Sequence, residues 1–255
     1  MNNVKYLKSS AYGGLDENRI AYKQSLGKSP GIIWCGGLKS DMDGSKASAL
    51  HKWADEQDRA FLRFDYFGHG VSSGDFRHGT VSRWAADTVQ VIDALTQGPQ
   101  ILVGSSMGGW TALLAALARA SRIKALVLLA PAPDFTEKLM WANFNDDIRA
   151  TIMEEGIYYE PSDYDEPYEI SRELIVDGRK NLLLDAPINI KCPVRIIQGM
   201  KDTSVPYTHA SKIVDALVSP DVELTLVKNG DHSLSGAEDI ARMIETLIAI
   251  TGLMK

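Results

Sequence analysis

The residue with the clearest capacity for chemistry is Ser106, at the centre of Gly104-Ser105-Ser106-Met107-Gly108. This G-x-S-x-G pattern follows the apolar run Ile101-Leu102-Val103 and precedes helical periodicity that starts near Gly108. A serine on a sharp strand-to-helix turn is held in a strained backbone conformation above the sheet, and glycines two residues to either side remove side chains that would collide there. Its hydroxyl also lies at a helix N-terminus, where unpaired N–H groups favour developing negative charge. Ser106 is therefore expected to be a nucleophile, and a serine nucleophile needs a base.

Of the five histidines, only His232 follows the last expected strand, in Asn229-Gly230-Asp231-His232-Ser233, from where it can return to the carboxyl edge of a sheet. His51, His78 and His209 are expected to be surface or loop residues. His69, in the turn Asp65-Tyr66-Phe67-Gly68-His69-Gly70, reaches the same edge but precedes the nucleophile, against the usual chain order of serine, acid, histidine. The base in turn needs a carboxylate that fixes its tautomer and stabilises the imidazolium. Asp202, after Arg195-Ile196-Ile197-Gln198, is the favoured acid. Asp134 is its rival, although a capping box with Glu137 already accounts for it. Asp231 reads as a turn former. The tetrahedral oxyanion of acyl transfer needs N–H donors, for which the candidates are Met107 and Leu38, the latter following Cys35-Gly36-Gly37. Gly37, Trp141 and Val205 are the candidate substrate contacts, Trp141 as a wall of an acyl pocket.

Residues so far apart in the chain must be brought together by the elements between them. Short β-branched apolar runs alternate with helical patterns, which predicts an α/β fold with a mainly parallel central sheet and helices on both faces. Strands are expected at 31–35, 60–64, 100–104, 125–130, 194–198 and 222–227. Helical spacing links Val81, Trp84, Thr88, Ile92 and Leu95, then Trp110, Leu113, Leu114 and Leu117, and finally Ile240, Met243, Ile244 and Leu247. From about 133 to 187 the alternation stops. That stretch carries aromatics and helical pattern, with Ile170, Leu174 and Ile175 in one helix, but no convincing strand. It is expected to be a helical lid inserted into a single domain spanning 1–255.

Lysine and arginine number 27 against 33 aspartates and glutamates, a formal charge of −6, which argues against a nucleic-acid partner. Cys35 and Cys192 are too few for a disulfide framework or a four-cysteine metal site, and Cys35 is expected to be a small buried hydrophobe. The first residues lack the apolar core of a secretory signal, and no apolar run is long enough to span a membrane. These features predict a cytoplasmic protein.

From about residue 19 onward the chain resembles the α/β-hydrolase superfamily. Gly36-Gly37-Leu38, Asp65-Tyr66-Phe67-Gly68-His69-Gly70-Val71-Ser72, the serine turn, Asp202 and His232 fall in that family's order. The segments Gly36-Gly37-Leu38-Lys39-Ser40, Gly44-Ser45-Lys46-Ala47, Arg63-Phe64-Asp65-Tyr66, Cys192-Pro193-Val194-Arg195 and Gly199-Met200-Lys201-Asp202 look like one branch of it. That branch is the bacterial carboxylesterases related to abhydrolase domain-containing protein ten, an acyl-protein thioesterase and acyl-glucuronide esterase. One departure is Gly36, which stands where many members place a histidine. The resemblance implies hydrolysis of an ester or thioester, on a small molecule or an acylated protein, without metal or cofactor. An acyltransferase or an amide hydrolase would use the same triad, whereas a silent binding protein of this fold would lack one of its members.

Overall fold

The apolar runs become strands of one eight-stranded sheet in the computed structural model, which describes residues 3–9, 18–161 and 167–253. In chain order its first half comprises β1 (Lys5–Lys8), β2 (Arg19–Ser25), β3 (Lys28–Cys35), α1 (Ser45–Glu56), β4 (Arg59–Phe64), α2 (Val81–Leu95), β5 (Gln100–Ser105), α3 (Met107–Ala118) and β6 (Ile123–Leu129). The second half comprises α4 (Asp146–Glu155), β7 (Ile157–Glu160), β8 (Tyr168–Ser171), α5 (Arg172–Gly178), β9 (Val194–Gly199), α6 (Tyr207–Ala216), β10 (Val222–Val227) and α7 (Ala237–Gly252). The sheet order is β1-β2-β4-β3-β5-β6-β9-β10, with β1 and β2 antiparallel to their neighbours and every other pairing parallel.

Successive residues of a strand face opposite sides of a sheet, so runs buried on both faces feed two cores. Ile33, Leu62, Leu102, Leu126 and Ile196 pack under helices that include α2 and α3, while Ile32, Phe61, Ile101, Val103 and Val127 pack under α1 and α7. All the expected strands are present, with ends shifted by a few residues. β1 and β2 had no counterpart in the sequence reading. β1 is short, polar and largely exposed, and so carries no continuous apolar signal.

The stretch between β6 and β9 differs from expectation in three ways. It contains a two-stranded antiparallel ribbon, β7 with β8, whose four-residue strands are too short and too polar to stand out as a run. Ile170 lies in β8, and α5 begins after it. The Asp134–Glu137 capping box does not form: the stretch opens with a π-helical turn, Thr136–Met140, that has no side-chain cap. Asp134 is fully buried at φ +60° and instead accepts N–H bonds from Leu183 (2.8 Å) and Leu184 (2.9 Å), tying the start of this stretch to its end. Glu137 pairs with Arg179. Phe144, Ile152, Ile170 and Ile175 form a small core belonging to this stretch alone.

Candidate active site

Ser106 joins the C-terminal end of β5 to the first turn of α3, at φ +54° and ψ −121°. An L-residue adopts this conformation only when its surroundings impose it, and here they are hydrogen bonds. Ser106 N donates to Leu129 O (2.9 Å), and Ser106 O accepts from Gly109 N (2.8 Å) and Ala132 N (3.1 Å). The flanking glycines are a steric requirement. A Cβ on Gly104 would meet the backbone of Gly108, and one on Gly108 would overlap the carbonyl oxygens of Cys35 and Gly36. The same close approach places the Gly36–Leu38 loop against the turn, so that a Cβ on Gly37 would lie 3.5 Å from Ser106 Cβ. Met107, the first residue of α3, has an N–H with no partner inside the helix. Leu38 is half-buried on the larger core, and its loop turns at Lys39 (φ +55°), with Ser40 Oγ donating to Gly37 O at 2.7 Å.

The structure brings Ser106, His232 and Asp202 together. His232 Nε2 is 3.0 Å from Ser106 Oγ, and its Nδ1 is 2.8 Å from Asp202 Oδ2. An ionised carboxylate can only accept, which makes Nδ1 the protonated nitrogen and leaves Nε2 to accept from the serine hydroxyl. Asp202 Oδ1 accepts from Ser204 N (2.9 Å) and Val205 N (2.7 Å), so Val205 serves the site through its main chain while its side chain lies buried in the core. The loops after β9 and β10 are bonded to each other, Met200 N to Val227 O and Lys201 N to Gly230 O, each at 2.9 Å. Beyond His232 the chain is pinned by buried Leu234, whose N–H donates to Asp231 Oδ1 at 3.0 Å, the turn role expected of Asp231.

The remaining candidates fall outside this cluster. Asp134 serves the insertion as described. Trp141 is half-buried against the insertion's own core, with the guanidinium carbons of Arg179 and Arg149 4.6 and 5.5 Å from its ring. Trp110 is buried, edge-on to Phe135. His51 and His209 are not surface residues: both are buried, His51 stacked on Phe61 and His209 bonded to Pro133 O at 2.8 Å. They lie on the inward faces of α1 and α6, which a polar residue type does not announce. His78 is exposed as expected. His69 is buried among Tyr66, Phe76 and Trp84, and burial lowers its pKa to about 4. Cys35 is buried as expected, its thiol pushed up to about 12 by desolvation.

Residues 44–245 match the family model described as the alpha/beta hydrolase family. The chain belongs to the alpha/beta hydrolase family. Within that family it is 40% identical over 237 residues to the palmitoyl-protein thioesterase ABHD10, mitochondrial, of Bos taurus, covering 91% of this chain and 76% of that one. The solved structure of alpha/beta hydrolase domain-containing protein 10 from mouse superposes with a TM-score of 0.90 at 35% identity, covering 99% of this chain and 100% of that one. A protein from Agrobacterium vitis S4 described as a hydrolase superposes with a TM-score of 0.92 at 41% identity, covering 97% and 99% of the two chains.

These relatives correct one expectation about this alpha/beta hydrolase. The curated relatives are mitochondrial proteins, which overturns the cytoplasmic assignment. The features behind that assignment bear on secretion and membrane spanning, and they do not separate one reducing compartment from another. Among the described residues no helix is long and apolar enough to cross a membrane.

Two residues at the site were not among the candidates drawn from the sequence. Lys46, in the first turn of α1, donates to Ser233 O beside His232, and Gln198 donates to Asp202. The second left a signal, an amide directly after the apolar pair Ile196-Ile197 of β9 and four residues before the acid.

Proposed function

We propose that the protein hydrolyses carboxylic esters or thioesters through an acyl-enzyme on Ser106. The observation that carries this reading is the imidazole of His232, held between Ser106 Oγ and Asp202 Oδ2 at 3.0 and 2.8 Å. Ser106 Oγ attacks the acyl carbonyl while His232 Nε2 takes its proton, and Asp202 stabilises the imidazolium and fixes the ring. The negative charge on the carbonyl oxygen develops beside the N–H groups of Met107 and Leu38, the former reinforced by the dipole of α3. The imidazolium returns its proton to the leaving oxygen or sulfur, and water, activated by the same nitrogen, releases the acid. A thiolate leaves with less help than an alkoxide because thiols are much the stronger acids. Gly37 borders the reacting carbonyl. The relatives named as palmitoyl-protein thioesterases favour an acyl thioester of a protein as one substrate class.

The test is a matched series of short and long acyl esters and thioesters, a palmitoylated peptide among them, assayed on wild type and Ser106→Ala. The variant should lose nearly all hydrolysis and all covalent labelling by a fluorophosphonate while melting like wild type. Retained labelling would move the nucleophile elsewhere. Wild-type inactivity on thioesters of every length would confine the reaction to oxygen esters.

A further inference from the structure

We infer that Gln198 is a positioning residue for the reaction, holding the acid through the very oxygen that the base uses. The inference rests on the proposed roles of Ser106, His232 and Asp202. Gln198 is the penultimate residue of β9, and its side chain is wholly buried. Its Nε2 lies 2.9 Å from Asp202 Oδ2, 3.0 Å from Val205 O and 3.2 Å from Gly199 O, while its Oε1 has no hydrogen-bond partner among the described residues. Three oxygens thus surround a group with two N–H bonds. That environment fixes which way the amide points, because the flipped form would set oxygen against oxygen. An unpartnered buried amide oxygen is costly. It is tolerated here because the other end of the amide cross-links the acid to its own loop.

Asp202 Oδ2 therefore divides its charge between His232 Nδ1–H and Gln198 Nε2–H, while Oδ1 is held by Ser204 N and Val205 N. Removing the amide donor does two things. It frees the carboxylate to rotate away from the imidazole, which slows turnover. It also leaves the whole charge of Oδ2 to the imidazole, which favours the protonated ring and moves the acid limb of the pH profile upward. The other charged groups around the His232 loop are unaffected by the change. They are Asp231 in the loop, Lys46 of α1, which donates to Ser233 O, Asp239 of α7, paired with Arg242, and Lys201 beside the acid. His209 of α6, on the other side of the acid loop, bonds to Pro133 O.

The experiment measures kcat and kcat/KM for a short acyl ester from pH 5 to 9 on the full chain. The variants are Gln198→Met, which fills similar space without a donor, and Gln198→Asn, which keeps the amide but withdraws it by one carbon–carbon bond. Each should lower kcat about tenfold and raise the midpoint of the acid limb by about half a pH unit or more. In an Asp202→Asn background, Gln198→Met should add nothing further to the loss. If either folded variant merely melts lower while its acid limb and kcat stay wild-type, Gln198 is only structural and the inference is wrong. Ser106→Ala is assayed alongside. If that variant still turns over, the reading of the site itself fails, and if it is dead while the Gln198 variants are wild-type in profile, only the role of Gln198 fails.

Discussion

At the scale of single residues, the site is a case of small changes being forbidden by backbone contacts. Gly108 is the sharpest example, since the first turn of α3 lies directly against the carbonyls of Cys35 and Gly36. Gly108→Ala must push the helix and the Gly36–Leu38 loop apart, an overpacking cost of about 1–3 kcal/mol. It should also widen the gap that Met107 and Leu38 share, so fluorophosphonate labelling of Ser106 should slow by about a hundredfold, near the loss seen when one oxyanion donor is removed. Denaturant melts and labelling rates check the two effects separately, and a variant with wild-type values for both would refute the contact argument. Ser106, Asp202 and His232 were legible in the sequence because each follows a recognisable strand, in an order that brings strand ends together. Val205, Gln198 and Asp134 were not, because their tasks depend on which oxygen or N–H another segment presents. Val205 is a candidate substrate contact by sequence, and in the structure it offers the site an N–H aimed at Asp202.

At the scale of elements, burial explains most of what could be read, although the edge strand β10, with no residue fully buried, was read as well. β5, β6 and β9 are almost continuously buried, as is β3 from Gly31 onward, and these segments stood out as apolar runs. β7 and β8 are half-exposed, and their Ile-Tyr-Tyr-Glu and Tyr-Glu-Ile-Ser read as helix or loop. The attachment of the insertion was equally hidden. Its exposed ion pairs, Lys138 with Asp185 and Arg179 with Glu137, contribute little each because water screens them. Buried Asp134, with two N–H donors and a pKa raised by desolvation, is the stronger tie. Asp134→Asn keeps the shape and tolerates the positive φ, but it turns an NH2 group toward a backbone N–H. It should cost about 1–3 kcal/mol and speed amide hydrogen exchange in α4, β8 and α5, while Lys138→Ala should cost less than about 1 kcal/mol. Unchanged exchange in the Asp134 variant would show that the small core around Ile152 and Ile170 holds the insertion unaided.

At the scale of the whole molecule, stability against pH is set by buried groups that titrate in opposing senses, and two of them flank the turn after β4. Asp87, on α2, accepts from Phe67 N at 2.9 Å, and burial raises its pKa from 3.8 to about 7. His69 shares the Phe67 carbonyl with Trp84, and burial lowers its pKa from 6.5 to about 4. Between about pH 4 and 7 the folded protein keeps a proton on Asp87 that the unfolded chain releases, so this group lowers stability as pH rises. Between about pH 4 and 6.5 the unfolded chain holds a proton on His69 that the folded protein refuses, so this group raises stability as pH rises. The two slopes are of equal size and nearly cancel over their shared window, so that of this pair only Asp87 still acts near neutrality. Asp87→Asn, which can still accept from Phe67 N, should therefore gain stability at pH 8 by up to about 4 kcal/mol and lose most of that gain by pH 4. Its stability should climb with pH from 4 to 6.5, exposing the slope of the buried histidines, His69 foremost with His51 and His209, that the wild type conceals. Urea melts of wild type and variant at unit pH steps test this, and parallel curves for the two proteins would mean that Asp87 is ionised throughout.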